Sequence, residues 1–217
     1  QEKDLVDSIR SLSPDIVIND RLDTEAGEML RIKDFASTVI NFEDLGDGAQ
    51  HADLVFNAMY PEKVELPNHY FGLEYFILRD EFLFSEMHQV QPKVNSVLLC
   101  FGGVDPSNFT ARVLEILNKN ENAQGMEIKV IVGMGYGEFE ILKSRYPQLE
   151  IVNNVSNISD FIAAADLVFT SAGRTTFECA CLGVPTIVLC QNQRETTHFF
   201  AWDKFGFKNL GLGSDLS

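Results

Sequence analysis

The feature that most constrains the fold is a run of small and polar residues, 170–178, set between two apolar stretches. Residues 166–169 before it and 186–190 after it have the apolar character of buried strands. Residues 175–182 have a helical pattern that ends at Gly183. A strand, a small-residue turn, a helix and a second strand form a βαβ unit. Such a turn brings backbone N–H groups and a helix N-terminus to the carboxyl end of a parallel sheet, where phosphates commonly bind.

Strands and helices alternate along the rest of the chain. The predicted strands are 15–18, 38–42, 54–57, 94–101, 127–132, 150–152, 166–169 and 186–190. The predicted helices are 24–33, 108–119, 138–145, 158–164, 175–182 and 195–205, and residues 62–86 are interpreted as a connection. This alternation predicts an α/β fold with parallel sheets covered on both faces.

A short repeat favours two related domains. The sequence Ala-Asp-Leu-Val-Phe occurs at 52–56 and again at 165–169, each time where a helix gives way to a strand, although coincidence would also explain it. We predict a partial N-terminal Rossmann-like domain with its connection at 1–91 and a C-terminal Rossmann-like domain at 92–217. The two would face each other across a cleft that holds the ligand. The N-terminal domain is expected to be incomplete because the chain begins within a helix, and residues 213–217 resemble the start of another helix.

Composition excludes several classes of partner. The net charge of the 217 residues is −15, so the chain lacks the basic surface that nucleic acids and anionic membranes require. No apolar stretch reaches the roughly 18–20 residues of a membrane span. No signal peptide is visible, which indicates the cytoplasm. The four cysteines form no C-x-x-C pair and accompany no histidine cluster, so we expect buried reduced thiols rather than a metal or disulfide site.

Two glycine-rich loops follow predicted strands. Gly102 and Gly103 allow positive φ and close approach of a ligand, and Ser107 or Asn108 can cap the helix that follows. This loop is either a phosphate contact or a tight turn between strand and helix. The loop 133–137 lacks the final glycine of the dinucleotide fingerprint and is interpreted as plain and flexible.

Most of the polar residues at the ends of predicted strands and at the starts of predicted helices have two interpretations. Glu178 completes a capping box with Thr175, or its carboxylate binds ribose hydroxyls. Residues 191–195 place three amides and an arginine after a strand, where they suit sugar hydroxyl and acetamido groups or form a polar first turn. His198 is expected to be structural. In the first half, Asp20 and residues 41–44 lie at the ends of predicted strands. Their side chains are interpreted either as groups that orient a water or a sugar hydroxyl or as solvated turn residues.

The order of these motifs resembles one family. The motifs that carry the resemblance are 17–20, 41–46, 52–58, 78–82, 101–106, 171–178 and 191–195. They are similar to the UDP-sugar hydrolases of pseudaminic acid biosynthesis and their spore-coat polysaccharide relatives. These proteins belong to the glycosyltransferase-B (GT-B) superfamily, which also includes the peptidoglycan enzyme MurG.

The resemblance implies a reaction and a set of site residues. Such enzymes cleave the bond between UDP and a 2,4-diacetamido-trideoxy sugar by attack of water, without a metal or other cofactor. The implied UDP-binding residues are Gly102, Gly103, Ser171, Ala172, Gly173, Arg174, Thr175 and Glu178. The implied sugar-binding residues are Gln191, Asn192 and Gln193, and the catalytic candidates are Asn192 and Asp20.

The chain departs from the family pattern in one respect that bears on catalysis. Family members carry a G-x-G-H-x-x-R loop whose histidine is the proposed base, and this motif is absent from the sequence. Residues 20–22, Asp-Arg-Leu, also stand where some members have Asp-His-Tyr. Two alternatives therefore stay open: a GT-B glycosyltransferase that uses a UDP-sugar donor, and a non-catalytic nucleotide-sugar-binding module. Because relatives occur behind a sugar cytidylyltransferase, fusion to or association with such a domain is also expected.

Overall fold

The computed structural model describes residues 4–61 and 66–215. The chain divides into two compact units, Gln1–Ile77 and Leu78–Ser217, called the first and second unit below. Both contain parallel sheets with helices, which confirms the predicted α/β fold. The division lies before residue 78 rather than after residue 91, because Phe82 is 1% exposed and packs among Leu98 and Ile162 in the core of the second unit.

The described residues of the first unit form a parallel sheet in the order β1-β2-β3-β4. Its elements are α1 (Leu5–Ser11), β1 (Ile16–Asp20), α2 (Ala26–Lys33), β2 (Thr38–Phe42), β3 (Leu54–Asn57) and β4 (His69–Phe71). Alternate residues of the strands share a face. Val17, Val39 and Val55 therefore lie on the face that packs against Met29 and Ile32 of α2.

Buried polar side chains continue that same face at the carboxyl ends of the strands. Asn19 lies opposite Asn41 in the register of β1 and β2, and its Nδ2 donates to Asn41 Oδ1 at 2.8 Å. Asn41 Nδ2 donates to Asp44 Oδ2 at 2.6 Å, and Asn57 Nδ2 donates to the Asp44 carbonyl at 3.1 Å. Asp44 also accepts from the N–H and hydroxyl of Thr24. This network replaces most of the hydrogen bonds to water that these polar groups lose on burial.

The described residues of the second unit form a parallel sheet in the order β10-β9-β8-β5-β6-β7. Its elements are α3 (Asp80–Phe84), β5 (Ser96–Cys100), α4 (Phe109–Lys119), β6 (Glu127–Val132), α5 (Phe139–Arg145), β7 (Glu150–Asn153), α6 (Ile158–Ala163), β8 (Leu167–Thr170), α7 (Thr175–Leu182), β9 (Thr186–Cys190) and β10 (Lys208–Leu212). The apolar run of β5 is buried on both faces. Val97 and Leu99 enter one core, and Leu98 and Cys100 enter the other.

The predicted helix 195–205 is wrong. The structure has three short 3-10 turns there, Glu195–Thr197, Phe199–Ala201 and Asp203–Phe205, and then β10, which the sequence analysis missed. The hydroxyls of Thr196 and Thr197 donate to carbonyl groups three residues earlier, which competes with regular helical bonding. Residues Gly213–Asp215 form a further 3-10 turn, and 216–217 lie outside the described residues.

The interpretation of 62–86 as a bare connection is also wrong in part. It contains β4 and α3, while residues 62–65 lie outside the described part of the chain. The four cysteines are free thiols, and burial raises the pKa of Cys100 and of Cys190 to about 11. Within the described residues, no group of three or more metal-ligating side chains could hold an ion, and no helix is long and apolar enough to cross a membrane.

Candidate functional site

In the sheet of the second unit, the order in which strands are added reverses between β5 and β8. From β5 the chain passes through α4 to β6 and then β7 on one side, whereas β8, β9 and β10 extend the sheet on the other side. The loops that leave β5 and β8 therefore diverge at the carboxyl edge. In open parallel sheets, this is the position at which ligands bind.

A pocket of about 220 Å³ opens at this edge of the second unit. Four predicted UDP-binding residues line it: Gly102, Gly103, Thr175 and Glu178. Arg79 and Asn154 line it as well, although the sequence analysis assigned neither to the site. The structure therefore brings together the glycine loop after β5 and the first turn of α7, as a diphosphate site at a sheet edge requires.

Backbone conformation and close packing explain why glycine occupies several positions in and beside this pocket. Gly102 has φ +82°, and a Cβ added to Gly103 would meet no atom within 4 Å, so its backbone is open on that side. An added Cβ on Gly133 would lie 2.4 Å from both the Cα and the carbonyl oxygen of Gly103. Gly135 N–H donates to that same oxygen at 3.0 Å. The loop 133–137, predicted to be plain and flexible, is instead packed against the glycine loop.

Glu178 faces the pocket rather than capping its own helix. Helix α7 begins at Thr175, and within the described structure no side chain bonds to its first N–H groups as a cap. The capping-box interpretation of Thr175 and Glu178 is therefore wrong. The Glu178 side chain is 13% exposed, and its Oε1 accepts from Arg79 Nη2 at 3.0 Å. A carboxylate held in this way presents acceptors to a ligand in the pocket.

Arg79 is the residue that sequence reasoning missed. It lies immediately before α3, in the stretch interpreted as a connection, and the only signal was its place in the 78–82 motif of the resemblance. Its Nη1 bonds to Glu81 Oε1 at 2.7 Å, and its guanidinium lies 5.1 Å from the centre of the Phe82 ring. Among the described residues that line the pocket, Arg79 carries the only positive charge and Glu178 the only negative charge.

The turn after β8 is partly occupied by the chain's own Glu195 carboxyl group. Ser171 and Ala172 are buried, and Ala172 N–H donates to Glu195 Oε2 at 3.2 Å. Gln191 N–H donates to the same oxygen at 2.8 Å. Burial raises the pKa of Glu195, while these two donors act in the opposite direction. The Ala172 N–H that we predicted to bind UDP is therefore already bonded, whereas Arg174 is exposed.

Gln191 connects two loops with its side-chain amide. Its Nε2 donates to Asp105 Oδ1 at 2.7 Å, and its Oε1 accepts from Ser107 N–H at 3.2 Å. Asp105 also accepts from the N–H groups of Phe109 and Thr110, so it caps α4 instead of the predicted Ser107 or Asn108. The Gln191 amide thus positions the β5 loop beside the β9 loop.

The next two amides, Asn192 and Gln193, lie at the start of the turn that follows β9. Asn192 is exposed, and its Oδ1 accepts from Glu195 N–H at 3.1 Å, while Gln193 is exposed beside it. His198 is buried, its Nδ1 bonds to the Ala172 carbonyl, and burial lowers its pKa. These contacts fit the polar-turn interpretation of 191–195 and the structural interpretation of His198. Sugar contact by the amides stays a prediction.

The acidic candidates of the first unit differ from one another. Asp20 is exposed at the carboxyl end of β1, and its catalytic role stays a prediction. Glu43 is 5% exposed, and its carboxylate accepts from the N–H groups of Ala58 and Met59 at 3.1 and 3.3 Å. Asp44 is 1% exposed within the buried network. Neither Glu43 nor Asp44 is the solvated turn residue that we considered.

Comparison with known proteins agrees with this geometry. Residues 97–199 match the family model described as "Glycosyltransferase family 28 C-terminal domain". The match begins in β5 and includes the pocket residues from Gly102 to Glu178.

Two curated proteins are similar over most of the chain. "Uncharacterized protein MJ1062" of Methanocaldococcus jannaschii is 31% identical over 211 residues, which is 88% of this chain and 43% of that protein. "Spore coat polysaccharide biosynthesis protein SpsG" of Bacillus subtilis is 25% identical over 227 residues, which is 98% of this chain and 67% of that protein. The chain thus spans less than half the length of the archaeal relative.

A solved structure shares the fold. The crystal structure of Acinetobacter baumannii MurG matches with a TM-score of 0.58 and 18% identity, covering 95% of this chain and 62% of that chain. The chain therefore shares the α/β fold of MurG, and its second unit is similar to the C-terminal domain of glycosyltransferase family 28.

Proposed function

We propose that this chain is the donor-binding part of a glycosyltransferase-like enzyme of polysaccharide biosynthesis, and that its second unit binds the UDP of a UDP-sugar. The observation that carries the proposal is the pocket between the β5 and β8 loops, with Glu178 at one wall and open glycine backbone at another. The family 28 match supports a glycosyltransferase-like reaction, and the similarity to the spore coat polysaccharide biosynthesis protein SpsG supports a role in polysaccharide biosynthesis.

The charges of the pocket suit a nucleoside diphosphate. The chain carries −15 overall, so an anion can bind only where local donors outweigh the global field. The open backbone of Gly103, the first turn of α7 and Arg79 supply such donors. Glu178 would accept hydrogen bonds from ribose hydroxyls. A ribose that bonds to Glu178 competes with Arg79 for this carboxylate, and the released guanidinium then lies beside the diphosphate.

The reaction proposed for the whole protein is cleavage of the bond between the sugar and UDP. Donors fixed around the diphosphate stabilise the charge that develops as UDP leaves, commonly by several kcal/mol. The narrower proposal is hydrolysis of a UDP-linked 2,4-diacetamido-trideoxy sugar, with Asn192 and Asp20 orienting the attacking water and with Gln191 and Gln193 near the sugar. Transfer to an acceptor hydroxyl is the alternative, because the donor site would be the same.

Binding is tested by titration calorimetry of the chain with UDP, using CDP and GDP as controls. The informative variant is Glu178→Gln, which keeps the size of the side chain but removes its charge. Charge-assisted hydrogen bonds contribute about 1.5–3 kcal/mol, so the UDP dissociation constant should rise about 10- to 100-fold. Glu140→Gln, on the exposed face of α5, is the matched control and should bind UDP normally. Equal affinities in the two variants would refute the assignment of Glu178.

The reaction is tested with the full-length protein and candidate UDP-sugars. UDP release that produces free sugar without an added acceptor supports hydrolysis, and Asn192→Ala should slow it. UDP release that requires a hydroxyl acceptor supports transfer. Absence of UDP release with every donor, by protein that binds UDP, contradicts both and favours the non-catalytic module. Cytoplasmic location and fusion to a cytidylyltransferase stay predictions.

A further inference from the structure

One network of hydrogen bonds joins the loops that leave β5, β8 and β9, which are neighbouring strands of the second unit. At its centre is the carboxyl group of Glu195, whose Oε2 accepts from Ala172 N–H at 3.2 Å and from Gln191 N–H at 2.8 Å. Ala172 belongs to the turn after β8, and Gln191 directly follows β9. A single carboxyl oxygen therefore holds the backbones of two loops together.

The backbone of Ala172 is bonded through both of its polar groups. Its N–H donates to Glu195, and its carbonyl oxygen accepts from Nδ1 of His198, the residue that ends the same short turn. Ala172 is buried and lies three residues before Thr175, where α7 begins. Thr175 and Glu178 line the UDP pocket, so the placement of that wall depends on how Ala172 is held.

Gln191 extends the network to the opposite wall of the pocket. Its side-chain amide bonds to the Asp105 carboxylate and to Ser107 N–H in the loop after β5. Asp105 is buried and lies two residues after Gly103, which lines the pocket. Because Glu195 holds the backbone of Gln191, its carboxyl group connects the glycine loop with the first turn of α7.

Glu195 acts on the pocket only through these loops. The described residues that line the pocket do not include Glu195, Ala172 or Gln191. Walls that are already held at the correct separation bind a ligand more tightly, because less order has to be imposed on the loops when the ligand binds. A bond that fixes the separation of two loops therefore contributes to affinity without touching the ligand.

We propose that Glu195 is a positioning residue for UDP, whose side-chain length sets the separation between the glycine loop and the first turn of α7. This inference rests on the proposed function, which assigns UDP to that pocket. The role requires an acceptor oxygen at the place of Oε2, and an uncharged oxygen also meets that requirement. The length of side chain 195 should therefore determine UDP affinity, whereas its charge should matter little.

The test is titration calorimetry with UDP on the full chain and on variants of Glu195. Glu195→Gln keeps the length and an acceptor oxygen, so its UDP dissociation constant should stay within about twofold of the unchanged value. Glu195→Asp keeps the charge but is one methylene shorter. It cannot reach both N–H groups unless a loop moves, so the dissociation constant should rise about tenfold. Glu195→Ala should lose at least as much affinity.

Asp166→Ala is the matched control for a loss of stability. Asp166 Oδ2 accepts from the N–H groups of Asn95 and Ser96 at 2.8 and 2.9 Å, so it joins two chain segments in the same way at the amino edge of the same sheet. Glu195→Ala and Asp166→Ala should both lower the unfolding midpoint measured by Trp202 fluorescence. Only Glu195→Ala should weaken UDP binding.

Two results would overturn the inference while UDP binding itself stands. One is equal UDP affinity in Glu195→Gln and Glu195→Asp, a comparison that holds even if Glu195→Ala does not fold. The other is an equal loss of UDP affinity in Glu195→Ala and Asp166→Ala. If the unchanged chain does not bind UDP, the proposed function fails and the role of Glu195 fails with it.

Discussion

Gly133 provides a direct test of the geometry of the pocket in the second unit. In Gly133→Ala the new Cβ would lie 2.4 Å from the Cα and the carbonyl oxygen of Gly103. Carbon atoms in contact prefer about 3.5–4.0 Å, so the two loops must separate by about 1 Å or more. The obstacle is backbone on both sides, and no side-chain rotation can relieve it.

The expected cost follows from overpacking. Forcing a methyl group into a filled site typically costs 1–3 kcal/mol, and a rigid backbone contact belongs at the upper end, about 3 kcal/mol. For a chain of this length, about 3 °C of the unfolding midpoint is lost per kcal/mol, so the midpoint should fall by about 9 °C. UDP binding should weaken as well, because Gly103 and Gly133 both line the pocket.

The chain contains a suitable probe and a matched control. Its single tryptophan, Trp202, lies in the second unit, so fluorescence-detected unfolding reports on that unit alone. Gly137→Ala is in the same loop, and its added Cβ would meet nothing within 4 Å. That variant should be as stable as the unchanged chain or slightly more so. Equal midpoints for Gly133→Ala and Gly137→Ala would refute the contact between the two loops.

Three further predictions concern other contacts. Asp105→Ala removes the cap of α4 and should lower the urea unfolding free energy by about 1–2 kcal/mol, measured by Trp202 fluorescence. Because burial raises the pKa of Glu195, the folded state holds its proton more tightly, and stability is lost as pH rises through the raised folded pKa. Glu195→Gln lacks this loss, so unfolding at a series of pH values should show its stability relative to the unchanged chain improving as the pH rises above about 4, where the unfolded carboxyl begins to ionise. Gly46→Ala places a Cβ 2.2 Å from the Thr24 carbonyl oxygen and should destabilise the first unit, seen by circular dichroism without an equal change in Trp202 fluorescence.

Periodicity in the sequence was sufficient to predict most of the sheet. The strand at β5 was predictable because its residues are apolar without alternation, as burial on both faces requires. The end of α7 was predictable because Gly183 has φ +72°, a conformation that glycine adopts without strain. Sequence patterns predicted β5 and the end of α7 correctly because the tertiary contacts at these two places favour the same local structure.

Contacts between distant residues could not be predicted in this way. Arg79 and Glu178 are 99 positions apart, and no local pattern indicates that they bond. Helix α4 is capped by Asp105, whose carboxylate accepts from the N–H group of Phe109 four residues later, although Ser107 and Asn108 looked equally suitable. At 195–205, apolar spacing indicated a helix, but threonine hydroxyls and stacking of Phe200 on Phe177 at 4.4 Å favoured short turns. In each case a long-range or side-chain contact outweighed local propensity.

The buried amides of the first unit also define how its strands can align. Because Asn19 and Asn41 are directly opposed, sliding β1 by one residue would turn Asn19 to the other face, and sliding it by two would set Asn41 against Val17. Either displacement leaves amide groups buried without partners, at about 1–3 kcal/mol for each. An all-valine face would tolerate a two-residue slip far better. The asparagines thus favour a single register between β1 and β2 as the sheet folds.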